Sequence, residues 1–251
     1  MLLAVDVGNT LVTLGVHDGT DWQGRWRVRA VADKTASEYG ILIEGLLARA
    51  GVHRVERVAV ASAVPSLTGV FQELGEGWWG CPVLVVGPGV KTGLAVRTDH
   101  PSEVGPDLVA NAVAAHAQFG APTIAVDFGT ATSFVAVTAP GALSGVVIAP
   151  GLDTGANGLS TRAAQLPRVP LAVPQVALGK NTVHAMQVGV VLGHAGLVDG
   201  LLARLEEEIG PARTVATGPW ADLLAPLCRA VDAVNPLLTL EGIRIIAERN
   251  R

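Results

Sequence analysis

Tyrosine occurs once in this chain, methionine and cysteine twice each, and charged side chains make up only 16% of its 251 residues. Cys81 and Cys228 lie far apart with no metal spacing around them, so a disulfide framework and a cysteine-based zinc site are excluded and both read as buried, reduced small hydrophobes. The histidines are equally scattered, without paired metal spacing. Basic residues do not exceed acidic ones: 18 Lys+Arg against 22 Asp+Glu leave a net charge of −4, which gives no long-range pull toward nucleic acid or an anionic membrane. Unbroken apolar runs are short as well. The stretch Met186 to Leu202 is interrupted by Gly, His and Asp, which argues against a membrane span, and Asp6 cuts the opening apolar run too early for a secretory signal. These absences leave a cytoplasmic chain with a small-molecule ligand as the expectation.

What the chain has in quantity is apolar surface, 49% hydrophobic residues, enough for one large domain or two ordinary ones. Short β runs and helical patterns alternate, which predicts an α/β fold of mixed sheets flanked by helices. Leu2–Val7, Leu11–His17 and Trp22–Arg29 read as a three-strand meander. A core-facing helix over Ser37–Ala50 ends at Gly51, and a helix over about Ser102–Phe119 crosses into the second half. There Thr123–Val126, Ser133–Thr138 and Leu143–Ile148 repeat the meander, followed by helices over Gly155–Gln165 and Thr182–Ile209. The chain divides into lobes 1–115 and 116–251.

One short motif occurs twice: Asp6-Val-Gly-Asn-Thr10 and, almost half a chain later, Asp127-Phe-Gly-Thr-Ala131. Either copy alone is ordinary tight-turn chemistry between two strands. Two copies at half-chain spacing, each after a buried apolar strand, point instead to a duplicated site. A glycine without Cβ lets backbone N–H groups approach phosphate oxygens, and an aspartate at the strand end can face the metal that neutralises them. The spacing resembles that of the duplicated fold shared by actin and the sugar kinases, with two actin-like, ribonuclease-H-like lobes and a nucleotide in the cleft between them.

Further segments, among them Thr35-Ala-Ser-Glu-Tyr-Gly40, Gly87-Pro-Gly-Val-Lys-Thr-Gly93, Val104-Gly-Pro-Asp107, Asn111-Ala-Val-Ala-Ala115, Ile148-Ala-Pro-Gly151, Asn181-Thr182 and Ala216-Thr-Gly218, make the chain resemble the type III pantothenate kinases nearly end to end. The resemblance implies transfer of the ATP γ-phosphoryl group to the primary hydroxyl of pantothenate, the first step of coenzyme A synthesis, with Mg²⁺ and a monovalent cation, K⁺ or NH₄⁺. It also implies a homodimer with the active site at the subunit interface. By the same resemblance, Asp6, Val7, Gly8, Asn9, Thr10, Leu11, Val12 and Thr13 hold ATP phosphates, Asp6 facing the divalent metal. Thr130 and Gly218 belong to the nucleotide side. Asp127 matches the monovalent-cation ligand, Asp107 the proton acceptor, and Thr98, Gly105, Pro106, Leu108 and Thr182 fall at positions around pantothenate.

Local chemistry offers plainer readings of two of these residues. Asp107 lies near a helix start, where an acidic side chain favours the helix dipole, and Thr182 stands beside Asn181, a good N-cap. Four positions depart from the family pattern: Leu108 where arginine is usual, Thr98 where tyrosine is usual, Leu11 in place of asparagine, and Pro219 in place of a second glycine after Gly218. These departures leave two further readings open: a nucleotide-binding relative with a regulatory or interaction role, and a kinase for another small hydroxyl compound.

Overall fold

In the computed structural model, which describes residues 1–251, β1 (Leu2–Val7) is a strand whose two faces differ in size. Leu3, Val5 and Val7 point to one side and join a core with Tyr39, Ile43, Leu67 and Phe71, whereas Ala4 lies on the other, and all four β1 residues are fully buried. The same alternation recurs in β4 (Arg57–Ser62), with Val58 and Val60 in that core and Ala59 and Ala61 opposite. β2 (Leu11–His17) and β3 (Trp22–Arg29) complete an antiparallel meander, β4 and β5 (Val83–Val85) add in parallel, and the order is β3-β2-β1-β4-β5.

Two helices, α1 (Ala36–Arg49) and α2 (Pro65–Glu73), cover the large-residue face. α1 starts with a capping box: the Glu38 N–H donates to Thr35 Oγ1 at 3.3 Å, and the Thr35 N–H donates to Glu38 Oε2 at 2.9 Å. α2 runs on into a π-type turn, Leu74–Trp78.

A second sheet repeats the first. After the two-residue strand β6 (Ala95–Val96), a 3₁₀ turn at Pro101–Glu103 and helix α3 (Pro106–Phe119), the chain forms β7 (Thr123–Phe128), β8 (Ala131–Thr138) and β9 (Ala142–Pro150). Helices α4 (Leu152–Arg162), α5 (Thr182–Gln187) and α6 (Gly193–Ile209) follow, the last two joined through a π-type turn at Val188–Leu192. The chain closes with β10 (Arg213–Thr217), α7 (Ala221–Leu224), β11 (Ala233–Val234) and α8 (Leu238–Arg249). The order β11-β10-β7-β8-β9, with β6 on the β9 edge, is the first sheet's order over again. Thr182–Ile209 is long and apolar enough, by length and composition alone, to cross a membrane; its Ala195, Val198 and Leu202 are buried in the second core with Ile124, Val126 and Phe134.

The chain packs as two compact units, Met1–Ala95 with Asp99–Ala114 and Leu238–Arg251, and Val96–Thr98 with Ala115–Leu237. The C-terminal helix α8 thus belongs to the first unit, whereas a single division at 115/116 assigns it to the second. Its apolar face, Leu238, Leu240, Ile243 and Ile246, is buried, and it packs on β1, β2 and β4 over the face paved with Ala4, Gly15, Ala59 and Ala61. A β-carbon on Gly15 would come within 2.8 Å of Leu240 Cδ1, so only small residues admit the helix there.

Several element boundaries differ from the sequence reading: α4 spans Leu152–Arg162 and not Gly155–Gln165, and β9 spans Ala142–Pro150 and not Leu143–Ile148. α3 begins at Pro106 and not at Ser102, because Pro101–Glu103 closes a separate 3₁₀ turn and Pro106, which lacks an N–H, is suited to the first helical position. β11 spans only Ala233–Val234, and the Ala230 N–H just before it is held by Asp199 Oδ1 at 3.2 Å, away from the ladder.

Candidate active site

In the first unit the Asp6 motif is a hairpin whose register is unambiguous. Asp6 pairs with Thr13 and Val7 with Val12, leaving Gly8, Asn9 and Thr10 at the tip. The Gly8 N–H donates to the Leu11 carbonyl at 2.9 Å, and the Ala30 N–H ties down the Thr10 carbonyl at 3.0 Å. A β-carbon at Gly8 would press to 3.2 Å from that same Leu11 oxygen. Val7 and Val12 are fully buried in the core, so their side chains face away from any ligand and only their backbones are at hand. Asn9 and Thr10 are exposed; Asp6, Leu11 and Thr13 are half-buried on the opposite face from the valines.

The second candidate cluster of this unit is the start of α3. Gly105 precedes the helix, and its carbonyl accepts from the Val109 N–H at 3.0 Å. The Asp107 carboxylate folds back toward Gly105: a β-carbon there would lie 2.5 Å from Asp107 Oδ1. Burial pushes the Asp107 carboxyl above its ordinary value of 3.8, with the N–H groups of Leu108 and Asp107 itself pulling the other way. A carboxylate so raised is a stronger base than an exposed one. Leu108 is only 8% exposed, an apolar residue packed inward. α3 is positioned by a close crossing with α8, since a β-carbon at Gly242 would overlap the backbone of Ala110.

The Asp127 turn of the second unit is a near copy, one residue tighter. Asp127 pairs with Ser133 and Phe128 with Thr132, and the Gly129 N–H donates to Ala131 O at 3.0 Å. Three glycines surround it. Gly218, at the end of β10 with φ +95°, lies against Asp127 so closely that a β-carbon would overlap Oδ1 and approach Phe128 N to 2.7 Å. On the Gly129 side a β-carbon would lie 3.6 Å from the same Oδ1. Gly151 sits under the Thr130 carbonyl, where a β-carbon would again overlap backbone. That carbonyl accepts from the Gly151 N–H at 3.1 Å and from Thr154 Oγ1 at 2.6 Å, so the first turn of α4 holds the loop in place. Gly151 and Thr154 were not among the expected site residues. The signal for them was a glycine between a strand and a helix in Ile148-Ala-Pro-Gly151.

Of the remaining expected residues, Thr98 follows β6, where the Arg97 N–H donates to Leu143 O at 2.8 Å, and its hydroxyl is buried without a hydrogen-bond partner. Thr182 is the first residue of α5 and is exposed; its neighbour Asn181 caps the helix, accepting from the His184 N–H at 2.9 Å. Pro219 leads into a turn in which the Trp220 N–H reaches Phe128 O at 3.4 Å.

Nowhere do three or more His, Cys, Asp or Glu side chains converge as a metal cage. The Asp127 carboxylate, cradled by glycines where a β-carbon would intrude, suits a cation liganded by oxygens at close range.

Two sheets of identical order, each with an Asp-x-Gly hairpin between its first two strands, define an actin-like α/β fold. Solved structures agree on the fold: a ROK hexokinase from Thermus thermophilus (15% identity, TM-score 0.53, 98% of this chain and 97% of that one) and an archaeal actin homolog, Ta0583 (12%, TM-score 0.53, 99% of each). The family described as type III pantothenate kinase matches residues 2–204, and the Type III pantothenate kinase of Geobacter sulfurreducens is 46% identical over 254 residues, covering 100% of both chains. The chain belongs to the type III pantothenate kinase family.

Proposed function

We propose that the hairpin Asp6–Thr13 holds the phosphates of ATP and that Asp107 serves the acceptor hydroxyl. The activity is that of the family: phosphorylation of pantothenate to 4′-phosphopantothenate at the expense of ATP, the first step of coenzyme A synthesis. The observation that carries the assignment of roles is the repeated Asp-x-Gly hairpin at the same place in two sheets of the same order.

In this reading the backbone N–H groups of the Gly8–Thr10 tip face phosphate oxygens, and the Asp6 carboxylate faces Mg²⁺. Bound Mg²⁺ supplies charge neutralisation of the transferring phosphoryl group, and a monovalent cation, K⁺ or NH₄⁺, supplies the same next to Asp127. Thr130 and Gly218 lie on the nucleotide side. Asp107 takes the proton of the pantothenate hydroxyl onto a carboxylate oxygen as the bond to phosphorus forms, and its burial supports that role by raising its basicity. Gly105, Pro106, Leu108, Thr98 and Thr182 border the acceptor; the unpartnered Thr98 hydroxyl is available to a polar group of the substrate.

A net charge of −4 supports a small-molecule partner rather than nucleic acid or membrane, and use of ATP supports a cytoplasmic location. The family resemblance supports a homodimer with the active site at its interface. Measuring ATP-dependent formation of phosphopantothenate, with Asp6→Asn and Asp107→Asn beside the wild type, tests the whole assignment. Turnover in both variants at the wild-type rate overturns it.

The buried Leu108 favours a second reading, a kinase for a hydroxyl compound lacking the carboxylate that an arginine would pair with. Faster turnover of such a compound than of pantothenate would establish it.

A further inference from the structure

The strand β3 alternates strictly, half-buried Trp22, Gly24, Trp26 and Val28 against exposed Gln23, Arg25, Arg27 and Arg29. Three arginines therefore line one face of an edge strand, and none of them forms an ion pair. Register locates each one. Arg27 stands directly opposite Thr13 on β2, and Thr13 directly opposite Asp6 on β1. Directly opposed residues of antiparallel strands share a sheet face, so Asp6, Thr13 and Arg27 form one transverse row. The neighbouring row, Ala4–Gly15–Arg25, is roofed by α8 through Leu240. The row of Asp6 keeps its half-buried threonine and exposed arginine open.

The second sheet supplies an internal comparison. Its matching row runs Asp127–Ser133–Ile148, and it ends in an isoleucine that is 68% exposed. Both rows thus carry an aspartate and then a hydroxyl, but only the first ends in a cation. Two interstrand steps set the Asp6 and Arg27 backbones about 10 Å apart, a gap most of which an extended arginine side chain is long enough to span.

We propose that Arg27 is a phosphate-binding residue of the donor site, its guanidinium taking non-bridging oxygens of the ATP polyphosphate opposite Asp6. This rests on the reading of the Asp6–Thr13 hairpin as a phosphate site and adds to it a cation that no glycine-turn motif contains. A carboxylate on one side of a polyphosphate, acting through its metal, and a guanidinium fork on the other is a complementary pair for a multiply charged anion. The hydroxyl of Thr13 stands between them.

The test is binding of MgATP and of adenosine to the full chain by calorimetry, with Arg27→Gln, Arg27→Lys, Arg25→Gln and Asp6→Asn. Arg27→Gln is expected to weaken MgATP about 10- to 100-fold while leaving adenosine affinity unchanged, as loss of a charge-assisted contact to phosphate requires. Arg27→Lys recovers part of the loss, and Arg25→Gln binds as wild type. Equal loss of MgATP and adenosine overturns the proposal, since it signals a distorted sheet. So does wild-type MgATP affinity in Arg27→Gln with a loss in Asp6→Asn, which keeps the hairpin as the phosphate site and leaves Arg27 a solvated arginine. Wild-type affinity in both variants overturns the hairpin reading itself.

Discussion

Asp127 and Gly218 are packed so tightly that a β-carbon on the glycine would fall on the carboxylate oxygen Oδ1. The glycine is required twice over, because its φ of +95° is also a conformation that side chains with a β-carbon rarely adopt. β7 and β10 are parallel neighbours with Asp127 facing Thr217 in register, so displacement of Gly218 is felt directly at the carboxylate.

Gly218→Ala is accordingly expected to lower stability by about 1–3 kcal/mol and to alter the dependence of turnover on K⁺. Thermal melts and a K⁺ titration of activity check it. A variant that melts with the wild type and responds equally to K⁺ would show that the turn yields without moving Asp127.

Asp107→Asn should retain ATP binding while kcat falls about 10²- to 10⁴-fold, the usual cost of removing a general base. Its effect on stability has a definite sign. Burial raises the folded-state pKa above 3.8, so the ionised carboxylate is disfavoured in the folded state, and wild-type stability is lost as pH rises from 3.8 through the raised value. The asparagine variant does not carry that cost, so its stability relative to wild type should improve over that window and level off above it. A pure helix-capping role predicts the reverse, a less stable variant with kcat intact, and denaturant titrations at several pH values beside kcat decide.

Exchange of Asp6 for asparagine takes one charge from the metal side of the site, and a loss of about 10²-fold or more in turnover with MgATP is expected. Asp127→Ala should instead change the monovalent-cation dependence most. Identical ion titrations for the two variants would mean that the hairpins do not divide the labour in this way.

The substitution Leu108→Arg places a guanidinium where the side chain is only 8% exposed. Without a partner the buried charge should cost on the order of 3 kcal/mol, seen as a lower Tm. An unchanged Tm together with a lower KM for pantothenate would show that the pocket already accommodates the cation and its carboxylate partner.

In the second core, His194 and Thr132 share a buried hydrogen bond of 2.9 Å between ring Nε2 and Oγ1. Desolvation lowers the His194 pKa below 6.5, so the neutral ring is the folded form; the stability it contributes is present above 6.5 and lost as pH falls below that value. Thr132→Val strands the ring nitrogen and should cost about 1–3 kcal/mol. Chemical denaturation across this pH range measures both effects, and a His194→Phe variant with the wild-type pH profile would remove the histidine as their source.

Much of the fold was legible because it is local. Short apolar runs read as buried strands, a helix over Ser37–Ala50 was read as ending at Gly51, and the doubled Asp-x-Gly turn named the two hairpins before any packing was known. Helix boundaries slipped where two local preferences competed, as at Ser102–Pro106, where an acidic stretch suggests a helix start but proline and glycine defer it.

The sequence by itself determined the two Asp-x-Gly hairpins, because a turn's glycine and its flanking aspartate act within a few residues of each other. Only the tertiary structure decided what surrounds them. Gly218 reaches Asp127 from a strand far along the chain, α8 returns to roof the first sheet, Leu108 turns inward, and Arg27 joins the row of Asp6 through strand register. Each of these depends on contacts between segments distant in the chain, set by packing and hydrogen-bond register, which no local pattern encodes.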